Sequence, residues 1–297
     1  IFMLVAVIVT VVLISKQLNL DFKGVINTIA ESKHSKLFYF TDFKGAHFFL
    51  KQFFAGAFIA VVMTGLDQDM MQKNLSCRNI QEAKKNMYWM SFSLVPVNLL
   101  FMSLGVLLVV FAQQNGILIP ERTDDLFPLI ATQGYLNPLV SIFFIIGLVA
   151  AAYSSADSAL TALTTSFTVD ILNPQNKTEK QIRSIRKRVH VGVSAVLVLV
   201  ILIFNSINNE SVISAIFKVA GYTYGPLLGM YTFGMFTKLK TNDKLVPYIA
   251  IISPIICYIL NLSSKELLGG YQFGFEILIL NGLLTFVGLF LIRKQKS

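Results

Sequence analysis

Apolar residues in this chain come in long runs, not in the alternation of a half-buried strand or the single stripe of a soluble helix. Eight runs stand out, at 1–15, 46–66, 88–112, 138–170, 189–204, 213–236, 245–262 and 275–292. Most are near or above the roughly 20 residues that a helix needs to cross a bilayer. A lipid-exposed backbone must satisfy its own hydrogen bonds, so each run is predicted to be a helix. The expectation is an all-α membrane protein, with 1–297 as one transmembrane domain. The first run is short for a full crossing and starts at Ile1, so part of the protein is expected to precede it. The fourth is longer than a bilayer requires and is predicted to tilt or protrude.

The polar stretches between the runs alternate in charge. One set carries Lys73, Arg78, Lys84 and Lys85, then Lys177, Lys180, Arg183, Arg186, Lys187 and Arg188. Lys238, Lys240 and Lys244 follow, and then the tail Arg293, Lys294 and Lys296. The opposite set is poorer in basic residues: Asn205–Val212 has none, Leu118–Asn137 has Arg122 and Ser263–Gly274 has Lys265; only the first, Lys16–Gly45, is moderately basic. Basic loops stay on the cytoplasmic side, which places the C-terminus in the cytoplasm. The net charge of +9 is then an orientation signal and not a nucleic-acid footprint. Two connections have helical patterns of their own. Ser76–Lys85 reads as a short helix capped by Ser76 or Asn79, and Thr123–Ile130 as a helical outer loop with Asp124 and Asp125 in its first turn.

Composition agrees with this pattern. The chain is 55% hydrophobic and 14% charged, with 25 phenylalanines and a mean hydropathy of +0.66. Cys77 and Cys257 form no metal or disulfide framework. His34, His47 and His190, near span ends, read as surface or interfacial residues, and so do Lys51 and Glu276. There is no nucleophile elbow, phosphate-binding glycine loop, HExxH or paired catalytic carboxylate, so the chain is read as a non-enzyme.

Polar residues inside the runs carry the chemistry. Ala151-Ala152-Tyr153-Ser154-Ser155-Ala156-Asp157-Ser158 lies inside the fourth run, and an Asp near a helix centre costs about 2.5–3.5 kcal/mol to insert. Ser154, Ser158, Thr161, Thr165 and Thr168 share one helix face, with Asp157 and Thr164 beside them. The threonines read as helix-packing groups, whereas Ser154, Ser155, Asp157 and Ser158 together read as oxygen donors for a small hard cation. Lys218 lies about one and a half turns into the sixth run. It either snorkels to the interface, meets an anionic group on a solute, or pairs with Asp157. Pro226 downstream, among Gly221 and Gly225, predicts a kink or break. Asp67 and Gln68 either line an inner vestibule or end the second span at the headgroups.

Three stretches, in order and in spacing, resemble the sodium/solute symporter family. They are Gly65-Leu66-Asp67-Gln68 through Gln72 to Glu82-Ala83, then Ala151–Ser158 through to Asp170, then Tyr222-Thr223-Tyr224-Gly225-Pro226-Leu227-Leu228-Gly229. The resemblance implies a leucine-transporter-type inverted-repeat fold, represented in part: the last helix of repeat one, all of repeat two and two C-terminal helices. It implies a missing N-terminal half and sodium-coupled symport of a small organic solute at the plasma membrane, with sodium, solute and lipid as partners and no nucleic acid. It assigns sodium to the Ala151 carbonyl and the Ser154 and Ser155 hydroxyls, and a second cation to Asp157 and Ser158. It assigns solute contacts to Ala60, Met63, Thr64 and Lys218, where the first three lack the sugar-carrier pattern and the lysine suits an anionic or carboxylate-bearing solute. A symporter-like membrane sensor without transport is the alternative.

Overall fold

The computed structural model describes residues 1–36, 38–174, 177–207 and 212–294. Lys296 of the basic tail and positions 208–211 of the Asn205–Val212 connection lie outside them. The described residues form helices and no β-strand: α1 (Phe2–Gln17), α2 (Phe22–Glu31), α3 (Phe49–Gly65), α4 (Gln68–Leu75), α5 (Ile80–Gln114), α6 (Leu126–Thr132), α7 (Pro138–Ser166), α8 (Glu179–Ile207), α9 (Val212–Phe236), α10 (Val246–Leu262), α11 (Ser264–Leu267) and α12 (Ile277–Leu291). A π-helical turn, Phe167–Ile171, extends α7. Among the described residues three helical stretches are each long and apolar enough to cross a membrane, Ile80–Gln114, Pro138–Ile171 and Glu179–Ser206, or up to five spans if two bent helix pairs are each taken as one. The architecture is that of an all-α membrane protein.

Every predicted run contains a helix, but two boundaries move. Ser76–Lys85 is not a separate helix. Asn79 caps α5 directly, its side chain accepting from the Glu82 backbone N–H at 2.9 Å, and the charged turn runs on into the span. At 35 residues α5 is about 52 Å long, well beyond a bilayer core of about 30 Å. Likewise α8 starts at Glu179, ten residues before the predicted run, because its basic turns continue the helix. The break expected at Pro226 is a third difference: α9 is continuous from Val212 to Phe236, and Asn281 of α12 donates to the Tyr222 carbonyl there.

The chain divides into two compact units. The first comprises Ile1–Lys36 and Gln72–Ser211. Its core joins α1, α5, α6 and α7 through Ala6, Val7, Ile14, Leu107, Phe111, Ile130, Val140 and Phe144. The Phe127 and Phe144 rings meet edge to face at 4.8 Å. Burial of α5 is confined to Leu104–Ala112, so only its last third belongs to this core. The first connection is helical too, with α2 turning 94° from α1.

The second unit comprises Leu37–Met71 and Val212–Ser297, where α9 and α12 form the central seam and α3 and α10 flank it. Ile59, Val62, Leu228 and Leu278 make its small core. The seam is tight because glycines face it. A Cβ at Gly229 would lie 2.5 Å from the Gly282 carbonyl oxygen, so only glycine allows the approach.

Candidate functional site

The oxygen cluster predicted at Ala151–Ser158 falls at the middle of α7. Asn137 caps this helix, accepting from Leu139 N–H at 2.9 Å, and Pro138 takes the first turn, where a missing N–H costs nothing. Val140, Phe144 and Gly147 then form one buried face. At Gly147 the backbone of α1 comes so close that a Cβ would sit 2.6 Å from Met3 N. The same face continues at helical spacing through Ala151, Ser154 and Ser158.

Cover stops there. Residues Ala151 to Asp157 are all exposed, on every side of the helix, and Ser158 is half-buried. Burial resumes at Ala162, Thr164 and Thr168, against α8. Thr164 Oγ1 lies 3.2 Å from His190 Nδ1, and Thr168 Oγ1 donates to the Thr164 carbonyl at 2.7 Å. For these two threonines the packing reading holds. His190 is exposed, as its surface or interfacial reading expected, and its contact with Thr164 also ties α8 to α7.

Many helix hydroxyls in this chain bond locally, although Ser103, Thr161, Thr165 and Ser184 do not. Thr10, Ser15 and Thr132 each donate to the carbonyl four residues back, at 2.6, 2.6 and 2.7 Å. Among the described residues Ser154, Ser155 and Ser158 make no such bond, and Asp157 has no ion-pair partner within 4.0 Å. Their oxygens therefore remain open to a ligand. A helical carbonyl keeps a second lone pair, so Ala151 O can add to the set. Hydroxyl, carbonyl and carboxylate oxygens suit a hard cation. An open groove of about 670 Å³ between the end of α7 and α8, lined by Leu163, Phe167, Val193 and Leu197 among others, is almost wholly apolar and lies beyond the cluster.

The residues expected to contact the solute fall in the second unit. Ala60 is exposed on α3, and the Thr64 hydroxyl donates to the Ala60 carbonyl. Met63 packs on the Ile59–Leu278 core together with Phe217 and Tyr224 of α9. Lys218 is exposed, one residue past Phe217, whose ring meets Phe275 at 5.2 Å. The structure thus brings Met63 and the Lys218 turn to one part of this unit. Asp67 caps α4, accepting from Met70 N–H at 3.0 Å, two residues after the end of α3.

Lys51 and Glu276, read as separate interfacial residues, form a buried pair at 3.6 Å with side chains 8% and 14% exposed. Lys51 Nζ also donates to the Gln272 carbonyl at 3.0 Å and lies 3.8 Å from the Tyr271 ring centroid. Glu276 accepts from Tyr271 O–H at 3.0 Å and from Gly274 N–H at 2.9 Å. Burial, reinforced by the Glu276 carboxylate, pushes the Tyr271 phenol up from its ordinary value. This clasp ties the start of α3 to the start of α12. Opposite charges at two distant span ends were the only sequence signal for it.

The helical order defines the fold as that of an all-α membrane protein, with an oxygen cluster at mid-span. No family model matches the chain. The sodium/sialic acid symporter NanT of Aliivibrio fischeri is 27% identical over 194 residues, covering 64% of this chain and 38% of that protein. The sodium/sialic acid symporter SiaT of Proteus mirabilis is 26% identical over 197 residues, covering 64% and 38%. The fold matches a solved substrate-bound, outward-open structure of a sodium-coupled sialic acid symporter, one described as having a novel sodium site. The TM-score is 0.73 at 19% identity, across 99% of this chain and 61% of that one. These likenesses bear out the resemblance to the sodium/solute symporter family, a family of transporters and not of enzymes. The matched region spans 38% of the length of the curated relatives.

Proposed function

We propose that the protein carries out sodium-coupled symport of a small anionic organic solute by alternating access, with Ala151, Ser154 and Ser155 of α7 contributing to a sodium site. The observation that carries this reading is the uncovered turn at mid-α7, whose hydroxyls and carboxylate have no partner among the described residues. Such groups are costly in a span unless a ligand or a water-filled path meets them. Asp157 and Ser158, one turn further along, would hold a second cation. The similarity to sialic acid carriers supports a carboxylate-bearing solute, and an exposed Lys218 on α9 offers that carboxylate a cation. Sodium entry down the membrane potential would supply about 2.3 kcal/mol per charge per 100 mV.

The chain would lie in the plasma membrane with its C-terminus in the cytoplasm. The basic first turns of α8 and the charged start of α5 would mark the inner face. Uptake of labelled sialic acid and other carboxylates by cells expressing the whole protein, with and without sodium, tests the assignment. Sodium-dependent uptake that disappears in Ser154→Ala with Ser155→Ala is the expected result. Uptake that keeps its sodium dependence in that double variant refutes the site.

A further inference from the structure

Pro226 has no N–H, so in an unbroken helix the Tyr222 carbonyl, four residues upstream, loses its backbone donor. A membrane interior offers no water to replace it. Yet α9 runs on through this point. The replacement comes from α12: Asn281 Nδ2 donates to Tyr222 O at 2.9 Å and to Gly221 O at 3.2 Å. Asn281 is fully buried. Gly225 makes room for it, since a Cβ there would lie 2.4 Å from the Asn281 amide nitrogen. From the other side Thr285 Oγ1 donates to the Asn281 carbonyl at 2.9 Å and shares a 2.7 Å hydrogen bond with Ser253 of α10.

We propose that Asn281 is a positioning residue that substitutes for the hydrogen bond Pro226 cannot make, keeps α9 continuous, and thereby fixes the turn carrying Lys218 against the α12 seam. The joint is a latched hinge. With the amide in place α9 behaves as one helix. With the amide withdrawn, Pro226, the orphaned Tyr222 carbonyl, Gly221 and Gly225 together form a bending point. The role of Lys218 in this inference rests on the proposed transport function, whereas the joint itself does not.

The two can be tested separately in the whole protein, with Cys77 and Cys257 replaced. Spin labels at Ile213 and Tyr231, both exposed on α9, bracket the joint. Their Cα atoms lie about 27 Å apart along an unbroken helix of this length. The parent is expected to give one narrow distance distribution, and Asn281→Leu a broader or shorter one. Adding Pro226→Ala restores the backbone N–H and is expected to restore the narrow distribution. A merely space-filling Asn281 would gain nothing from that second change. An Asn281→Leu distribution identical to the parent, or a double variant as broad as the single, overturns the proposal. If Asn281→Leu does not reach the membrane, Asn281→Ser, too short to reach Tyr222 O, takes its place. In uptake assays Asn281→Leu is expected to raise the solute KM about ten-fold, the factor for one hydrogen bond, with Pro226→Ala reversing it. Distance changes without any sodium-dependent uptake would leave the joint standing and remove the transport reading.

Discussion

Polar side chains occupy mid-span positions in both units of this protein, and their surroundings are opposite. In the α9–α12 seam Asn281, Thr285 and Ser253 are buried and bonded to each other or to backbone carbonyls. One acceptor there, Asn281 Oδ1, has no partner among the described residues. In α7 the turn Ala151–Asp157 is exposed throughout, and its hydroxyls make not even the local bond to the preceding turn. The seam uses most of its polar groups on its own backbone and side chains, with Asn281 Oδ1 the exception among the described residues. The α7 cluster has oxygens with no partner among the described residues, which is what the proposed sodium site would require. Polarity within a span therefore does not by itself mark function.

Four measurements would break or sharpen this contrast. The largest effect is expected at the open cluster. Ser154→Ala with Ser155→Ala should abolish sodium-driven uptake while the thermal midpoint of the purified protein hardly changes, because neither hydroxyl bonds to the fold. A large loss of stability instead would move the cluster into the structural class. The closed side behaves in reverse. Glu276→Gln leaves Lys51 buried without its counter-charge and should cost about 3 kcal/mol by chemical denaturation of the second unit. An unchanged denaturation midpoint would show that the clasp contributes nothing.

A smaller effect is expected where α7 meets α8. Thr164→Val removes the bond to His190 at similar volume and should cost about 1 kcal/mol, with sodium dependence intact. A shift in the sodium requirement there would extend the functional cluster along the helix. The smallest effect is a pH slope. The Tyr271 phenol is raised in the folded state, so its contribution is complete below its unfolded value of about 10 and is lost as pH rises through the higher folded value. Thermal melts from pH 9 upward should fall more steeply for the parent than for Tyr271→Phe. Parallel curves would show that Tyr271 does not contribute to the alkaline loss.

Much of the fold was legible along the chain, because in a membrane the length of an apolar run and the helical state of its backbone are coupled. Runs 46–66, 213–236, 245–262 and 275–292 all became helices within a few residues of their expected ends. The starts of α5 and α8 were not legible, since charged turns such as Glu82–Lys85 and Arg183–Arg188 are good helix formers as well as loop residues. At the candidate site, residue type and spacing sufficed to select Ser154, Ser155, Asp157 and Ser158. The Lys51–Glu276 clasp joins residues 225 positions apart, and no local pattern announces such a pair. The Pro226 break failed for the same reason, as its remedy lies on another helix.

The sequence by itself determined that the chain is a set of membrane helices, how the basic loops alternate, and which helix carries oxygen donors at mid-span. These follow from hydropathy, charge and the 3.6-residue period, all local properties. Only the tertiary structure decided which of the polar groups within the spans and at their ends are satisfied. That depends on neighbours distant along the chain: Asn281 reaching the Tyr222 carbonyl, Glu276 reaching Lys51, and no described side chain reaching Ser154 or Asp157.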